Sequence, residues 1–175
     1  GKKAEIRSPR DAVKLGISLV PEDRRGQGVI VELPVKDNIS LASLKGLSYF
    51  GIMKSRIESG KVDEYVKSLS IKTPTVHQLV KYLSGGNQQK VVLAKWLCSK
   101  SNIFIFDQPT IGVDVGAKAE IYKLMGLLAE QGAAIVLVSS EIPEVLGLSD
   151  RIMVMYRGRV SKELGRTEAT AEKLL

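Results

Sequence analysis

A serine and two glycines, Ser84-Gly85-Gly86, stand directly before a long helix-forming run, Asn87 to Ser99. Ser84 can cap that helix, whose first N–H groups have no intrahelical partners and point outward. Gly85 and Gly86 carry no Cβ, so a ligand can come close to the backbone. The positive end of the helix dipole lies at the same place, and together these features suit an anion such as a phosphate. The same residues also fit a glycine turn that leads into an ordinary helix.

The residues that follow narrow the choice. Ile103-Phe104-Ile105-Phe106 is a short apolar run ending in Asp107, the pattern of a parallel strand covered on both faces. Gly112-Val113-Asp114 then opens a helix over Val115–Gln131, with Ala117, Ile121, Leu124, Met125 and Leu128 on one stripe and Gly132 at its end. Asp107 and Asp114 each have a plain alternative role, capping the turn or helix that follows.

Elsewhere the pattern predicts a helix over Asp11–Leu15, with no cap in the residues 1–10 that precede it, and a buried strand at Ile17–Val20 stopped by Pro21. Glu22 to Gly28 reads as a charged, glycine-rich loop. Val29–Leu33 is apolar and β-branched, and Val35–Leu44 and Ser55–Leu69 read as helices. Ala134–Val138 reads as another buried strand and Glu141–Leu146 as a short helix with Pro143 in its first turn. Ile152–Tyr156 and Arg159–Ser161 form a hairpin about Arg157-Gly158, and Thr167–Leu175 ends helical. Apolar strands alternating with amphipathic helices imply an α/β sheet with helices on both faces. Residues 29–83, mostly helical, interrupt that alternation as an inserted subdomain. The division is therefore 1–28, 29–83 and 84–175.

A chain of 175 residues fits one compact domain. Its net charge of +7 is scattered along the sequence, which favours a solvated basic surface over a nucleic-acid stripe. Cys98 is the single cysteine, so no disulfide framework exists and a reducing compartment is expected. Cys98 and Trp96 read as core, and His77 as a solvated side chain without a second histidine to share a metal. No apolar run is long enough to span a bilayer and the N-terminus is not a signal peptide, so any membrane association is peripheral.

In this order, Leu83 to Gln88 resembles the signature motif of ABC transporter ATPases, Ile103 to Asp107 their Walker B strand and Val113-Asp114 their D-loop. Four further groups sharpen the resemblance: Pro21-Glu22-Asp23-Arg24, Leu83 to Lys90, Gly112 to Ala117, and Ser139-Ser140-Glu141 with Pro143-Glu144-Val145. They are similar to the second ATPase half of the fused bacterial importers of ribose, galactose and xylose. The resemblance implies a P-loop NTPase-like ABC core with a mostly parallel sheet and an inserted helical subdomain.

It also implies roles. Ser84, Gly85, Gly86 and Gln88 would face ATP, Asp107 would hold Mg²⁺ through water, and Glu22, at the Q-loop position, would sense metal or water or else pair with Arg24 or Arg25. Asp114 would cross to a partner subunit. Gln108 stands where active relatives carry the glutamate that polarises water, and an amide orients water without accepting its proton. Ser140 stands at the switch-histidine position and brings no positive charge. Ile111 departs from the Arg usual in this family. No G-x-x-x-x-G-K-[ST] occurs, so the N-terminal P-loop third of such a domain is absent. The implied partners are the other ABC half, a membrane permease and, indirectly, a periplasmic or extracellular sugar-binding protein, with no nucleic acid, on the inner face of the cell membrane. Two alternatives remain. One is an ABC ATPase of the DNA-repair or chromosome type, which would carry longer coiled coils. The other is a non-catalytic dimerising module.

Overall fold

Helix α1 (Pro9–Lys14) begins where the Ser8 hydroxyl accepts the Asp11 amide, in a computed structural model that describes residues 4–49 and 52–175. The cap and Pro9 start this helix two residues before Asp11 and correct the expectation that nothing caps it. Gly1–Lys3, part of that expectation, fall outside the described residues. The chain forms two units, residues 1–136 and 137–175.

In the first unit, strand β1 (Ile17–Val20) follows α1 as expected. The segment read as a loop instead winds into one π-helical turn, Arg24–Gly28, closed by the Val29 amide on the Arg24 carbonyl at 2.8 Å. Val29–Leu33 forms no strand. The buried Asn38 amide accepts from Ile30 N at 2.8 Å and donates to the Ile30 and Leu33 carbonyls, while the Val31 and Leu33 carbonyls accept the Lys81 and Val80 amides, so the segment is bonded without a strand. The helix read over Val35–Leu44 is broken into α2 (Val35–Ser40), a 3₁₀ turn at Leu41–Ser43 and α3 (Leu44–Leu47). A small antiparallel pair that the sequence did not signal follows, β2 (Ser48–Tyr49) with β3 (Ile52–Met53). Helix α4 (Ser55–Ser68) matches its pattern, and Lys36 and Glu58 tie it to α2 by a 3.0 Å ion pair.

Helix α5 (Gly85–Cys98) is the centre of this unit. Every residue from Gln88 to Lys95 is buried, so α5 is covered all round. Helices α2 and α4 and the π-turn pack on it. Strand β4 (Ile103–Asp107) lies parallel to β1 with Ser18 beside Phe104 and Val20 beside Phe106. Those four residues are buried, whereas Leu19 is 45% exposed and Ile103 and Ile105 are half-buried. The expectation of a strand covered on both faces holds for only one. Helix α6 (Val115–Glu130) buries Ile121, Met125 and Leu128 of the predicted stripe, with Ala117 and Leu124 half-buried. Strand β5 (Ala134–Val138) completes the order β1-β4-β5 and carries the boundary between the units. The sequence read it as buried, but Val136 and Val138 are about half exposed. It stands at an end of the strand order, where coverage is least.

The second unit holds α7 (Ile142–Leu148), the antiparallel strands β6 (Arg151–Tyr156) and β7 (Arg159–Gly165), and α8 (Ala171–Leu174), capped by Thr170. Positive φ at both Arg157 and Gly158 gives the tight turn that the hairpin pattern predicted. Among the described residues no helix is long and apolar enough to cross a membrane.

Because Phe104 is fully buried and Leu19 is not, Phe104→Ala is expected to lower stability by about 3–5 kcal/mol and Leu19→Ala by about 1 kcal/mol, read by urea denaturation of this chain.

Candidate functional site

Three loops meet at one end of the first unit: the π-turn after β1, the Ser84 turn and the loop after β4. The Ser84 hydroxyl accepts from the Asn87 backbone amide at 3.5 Å and from its side-chain amide at 2.9 Å. Asn87 Oδ1 in turn accepts the Lys72 amide at 2.7 Å, which fastens the start of α5 to the chain after α4. Ser84 is exposed and Gly85 and Gly86 are half-buried. The first turn of α5 is thus open at its tip, while the helix behind it is held in the core.

Gln88, grouped by the sequence with the ligand-facing residues, has another task. It is buried, and its amide donates to the carbonyls of Val80 at 3.1 Å and Leu83 at 3.2 Å. These bonds shape the turn that presents Ser84.

A cleft of about 560 Å³ opens beside this turn. Glu22, Asp23, Arg24, Arg25, Asp107 and Gly112 are among the residues that line it. The structure therefore brings the Q-loop-like Glu22 and the strand-end Asp107 to one opening. Gln108, the next residue, has φ +47, a left-handed conformation that turns the chain out of β4. Asp114 is exposed and caps α6 by accepting the Ala117 amide at 3.0 Å, the plain alternative read from its position. Among the described residues no group of three or more acidic, histidine or cysteine side chains could hold a metal by itself. A Mg²⁺ ion at Asp107 would need phosphate and water ligands, which an open cleft lined by three carboxylates and two guanidiniums accommodates.

Ser139 and Ser140 belong to the second unit and are described there. The Ser139 hydroxyl donates to the Glu144 carboxylate and accepts the Glu141 amide at 3.0 Å, pinning the entry to α7. Ser140 is the residue between.

Two residues were missed from the sequence. Arg24 spans the cleft, with its guanidinium donating to the Ile111 carbonyl at 3.1 Å and the Gly112 carbonyl at 3.4 Å, and so does not pair with Glu22. Lys95, buried within α5, donates to the Gly28 carbonyl at 2.6 Å and lies 4.8 Å from the Trp96 ring centre. Burial holds its ammonium below the ordinary lysine range. Arg24 was legible as the end of Pro21-Glu22-Asp23-Arg24, and Lys95 as a cation inside an apolar helix pattern. A second pair joins α5 to α6: Lys90 Nζ lies 2.7 Å from the Glu120 carboxylate and donates to the Ser70 carbonyl at 3.1 Å. Close by, a Cβ on Gly86 would stand 2.9 Å from that of Ala117.

Residues 2–111 match the family model described as ABC transporter. The chain is 48% identical, over its whole length, to the xylose import ATP-binding protein XylG of Thermoanaerobacter pseudethanolicus, and 49% identical, over 99% of its length, to the ribose import ATP-binding protein RbsA of Clostridium tetani. It spans 35% of the length of each relative. Among solved structures it resembles CbiO1 from Clostridium perfringens, part of the ABC transporter complex CbiONQ, at 26% identity and a TM-score of 0.75. That match covers 95% of this chain and 64% of the other.

The hydrogen bond from Lys90 holds the Glu120 carboxyl below its ordinary value of 4.5. A depressed carboxyl contributes stability above its unfolded-state pKa and loses it as pH falls through the folded-state value. Glu120→Gln is therefore expected to flatten the loss of stability below about pH 4.5, measured by urea denaturation across the acid range.

Proposed function

This chain belongs to the ABC transporter family, and from that premise we propose that it is the ATP-binding segment of a bacterial importer of simple sugars. The names of its relatives support the sugar class, since XylG and RbsA are import proteins for xylose and ribose. The observation that carries the reading is the exposed Ser84 with Gly85 and Gly86 at the open tip of a helix that is otherwise buried. That tip presents unpaired amides and positive helix potential to a triphosphate.

No phosphate-gripping lysine loop occurs in the chain. The triphosphate facing Ser84 would then be anchored by the P-loop of another ABC half, in a site made from two halves. Asp107 and Glu22 would serve the complementary site through Mg²⁺ and its water. Asp107 would hold Mg²⁺ there, and the ion would supply neutralisation of the phosphate charge. Gln108 brings no carboxylate base and Ser140 no cation, so the site built on Asp107 mainly binds nucleotide. Hydrolysis belongs to the site that Ser84, Gly85 and Gly86 complete. Closure would move the helical segment 29–83 against membrane permease subunits, which receive sugar from an external binding protein. This assigns the chain to the cytoplasmic face of the membrane, as a peripheral component.

Ser84→Asp tests the reading without removing the cap, because Asp caps helices as well as Ser does. It places a negative charge against the triphosphate. In the full-length protein containing this chain, ATP turnover and sugar uptake are expected to fall by about tenfold or more, with thermal stability unchanged. Unaltered turnover in a folded variant would overturn the composite site.

A further inference from the structure

The guanidinium of Arg24 lies against Gly85. A Cβ built on Gly85 would stand 2.7 Å from Arg24 Nη2, closer than real side chains come. The same group donates to the Ile111 and Gly112 carbonyls, at the start of the loop that ends in Asp114. Its Nε is buried without a partner. One side chain thus lies against the tip of α5 and bonds the loop after β4, and its backbone opens the π-turn that follows Glu22.

The base of this side chain is fixed as firmly as its head. Asp23 accepts the Gly26 amide at 2.9 Å inside the π-turn. Lys95 Nζ, from α5, clamps the Gly28 carbonyl at the far end of the turn. A Cβ at Gly28 would stand 2.8 Å from Val92 of the same helix. π-Helical turns are rare and are often found at functional sites. Here the turn aims Arg24 back over the N-terminus of the helix that anchors it. A cation at a helix N-terminus opposes the helix dipole, so the arrangement is favourable mainly when an anion is expected beside it.

We propose that Arg24 is a positioning residue: its guanidinium, bonded through both prongs to the Ile111 and Gly112 carbonyls, packs against Gly85 and so sets the Gly85 turn and the loop after β4 in one relative geometry, so that both meet a neighbouring half's nucleotide together. The proposal rests on the composite-site reading above. It assigns to geometry, and not to charge alone, the effect of losing Arg24. Lysine keeps the charge but offers a single point in place of the planar fork that reaches two carbonyls.

Two measurements on Arg24→Lys and Arg24→Ala test this. In this chain, amide hydrogen exchange at the hydrogen-bonded amides of Asn87, Ile111 and Val113 is expected to quicken by about tenfold in both variants, with the interior of α5 unchanged. In the full-length protein, both variants are expected to lower kcat alike, with KM for ATP changed less than about twofold. Rescue of kcat by Arg24→Lys would overturn the proposal and leave a charge effect in its place, as would exchange that quickens throughout α5 or at none of these amides. Ser84→Asp, run alongside, separates the two ideas. If it abolishes turnover while Arg24→Lys is silent, the positioning role falls and the composite site stands. If it is silent, the composite site falls and the positioning role for nucleotide falls with it.

Discussion

The eight buried residues of α5, Gln88 to Lys95, set the terms for everything else in the larger unit. A helix packed on every side cannot shift along its axis or roll without opening voids. Its N-terminal turn is therefore held at a fixed depth, and the peptide groups at its tip are preorganised before any ligand arrives. Surrounding residues use this rigidity. Gln88 shapes the turn before it, Asn87 links it to the chain after α4, and Lys90 and Lys95 reach out of the core to Glu120 and Gly28.

Burying two lysines in one helix would be costly if they lacked acceptors. Each finds one on a neighbouring element. Lys95 reaches the carbonyl ending the π-turn, and Lys90 a carboxylate on α6, the helix Asp114 caps. Three loops distant in sequence are thereby indexed to one helix. Catalytic arrangements in which separate loops must agree within fractions of an ångström need such an index.

Much of this was legible in the residues. The strands at Ile17 and Ile103, helices α4, α5 and α6, and the hairpin around Arg157-Gly158 follow from periodicity and punctuation, which act locally. The capped turn at Ser84–Gly86 was legible for the same reason, because a cap and two glycines need no tertiary context. What the residues hid was settled by contacts across the chain. The π-turn depends on Lys95, some seventy positions away. The strandless backbone at Val29–Leu33 depends on the side chain of Asn38 and on the amides of Val80 and Lys81. The exposure of Val136 in β5 reflects which neighbours a strand finds, a property its own composition does not record. Gln88 was misplaced for a related reason: its position in a motif suggests a ligand, whereas its amide faces two carbonyls inward.

The closeness of Arg24 to Gly85 has a consequence for how such sequences drift. The two positions are not equally free to change first. Any side chain at 85 evicts the guanidinium, whereas loss of Arg24 leaves space above 85 that later mutations can fill. Lineages that abandon the arrangement should therefore pass through a stage with the glycine kept and the arginine gone, and the reverse intermediate should be scarce.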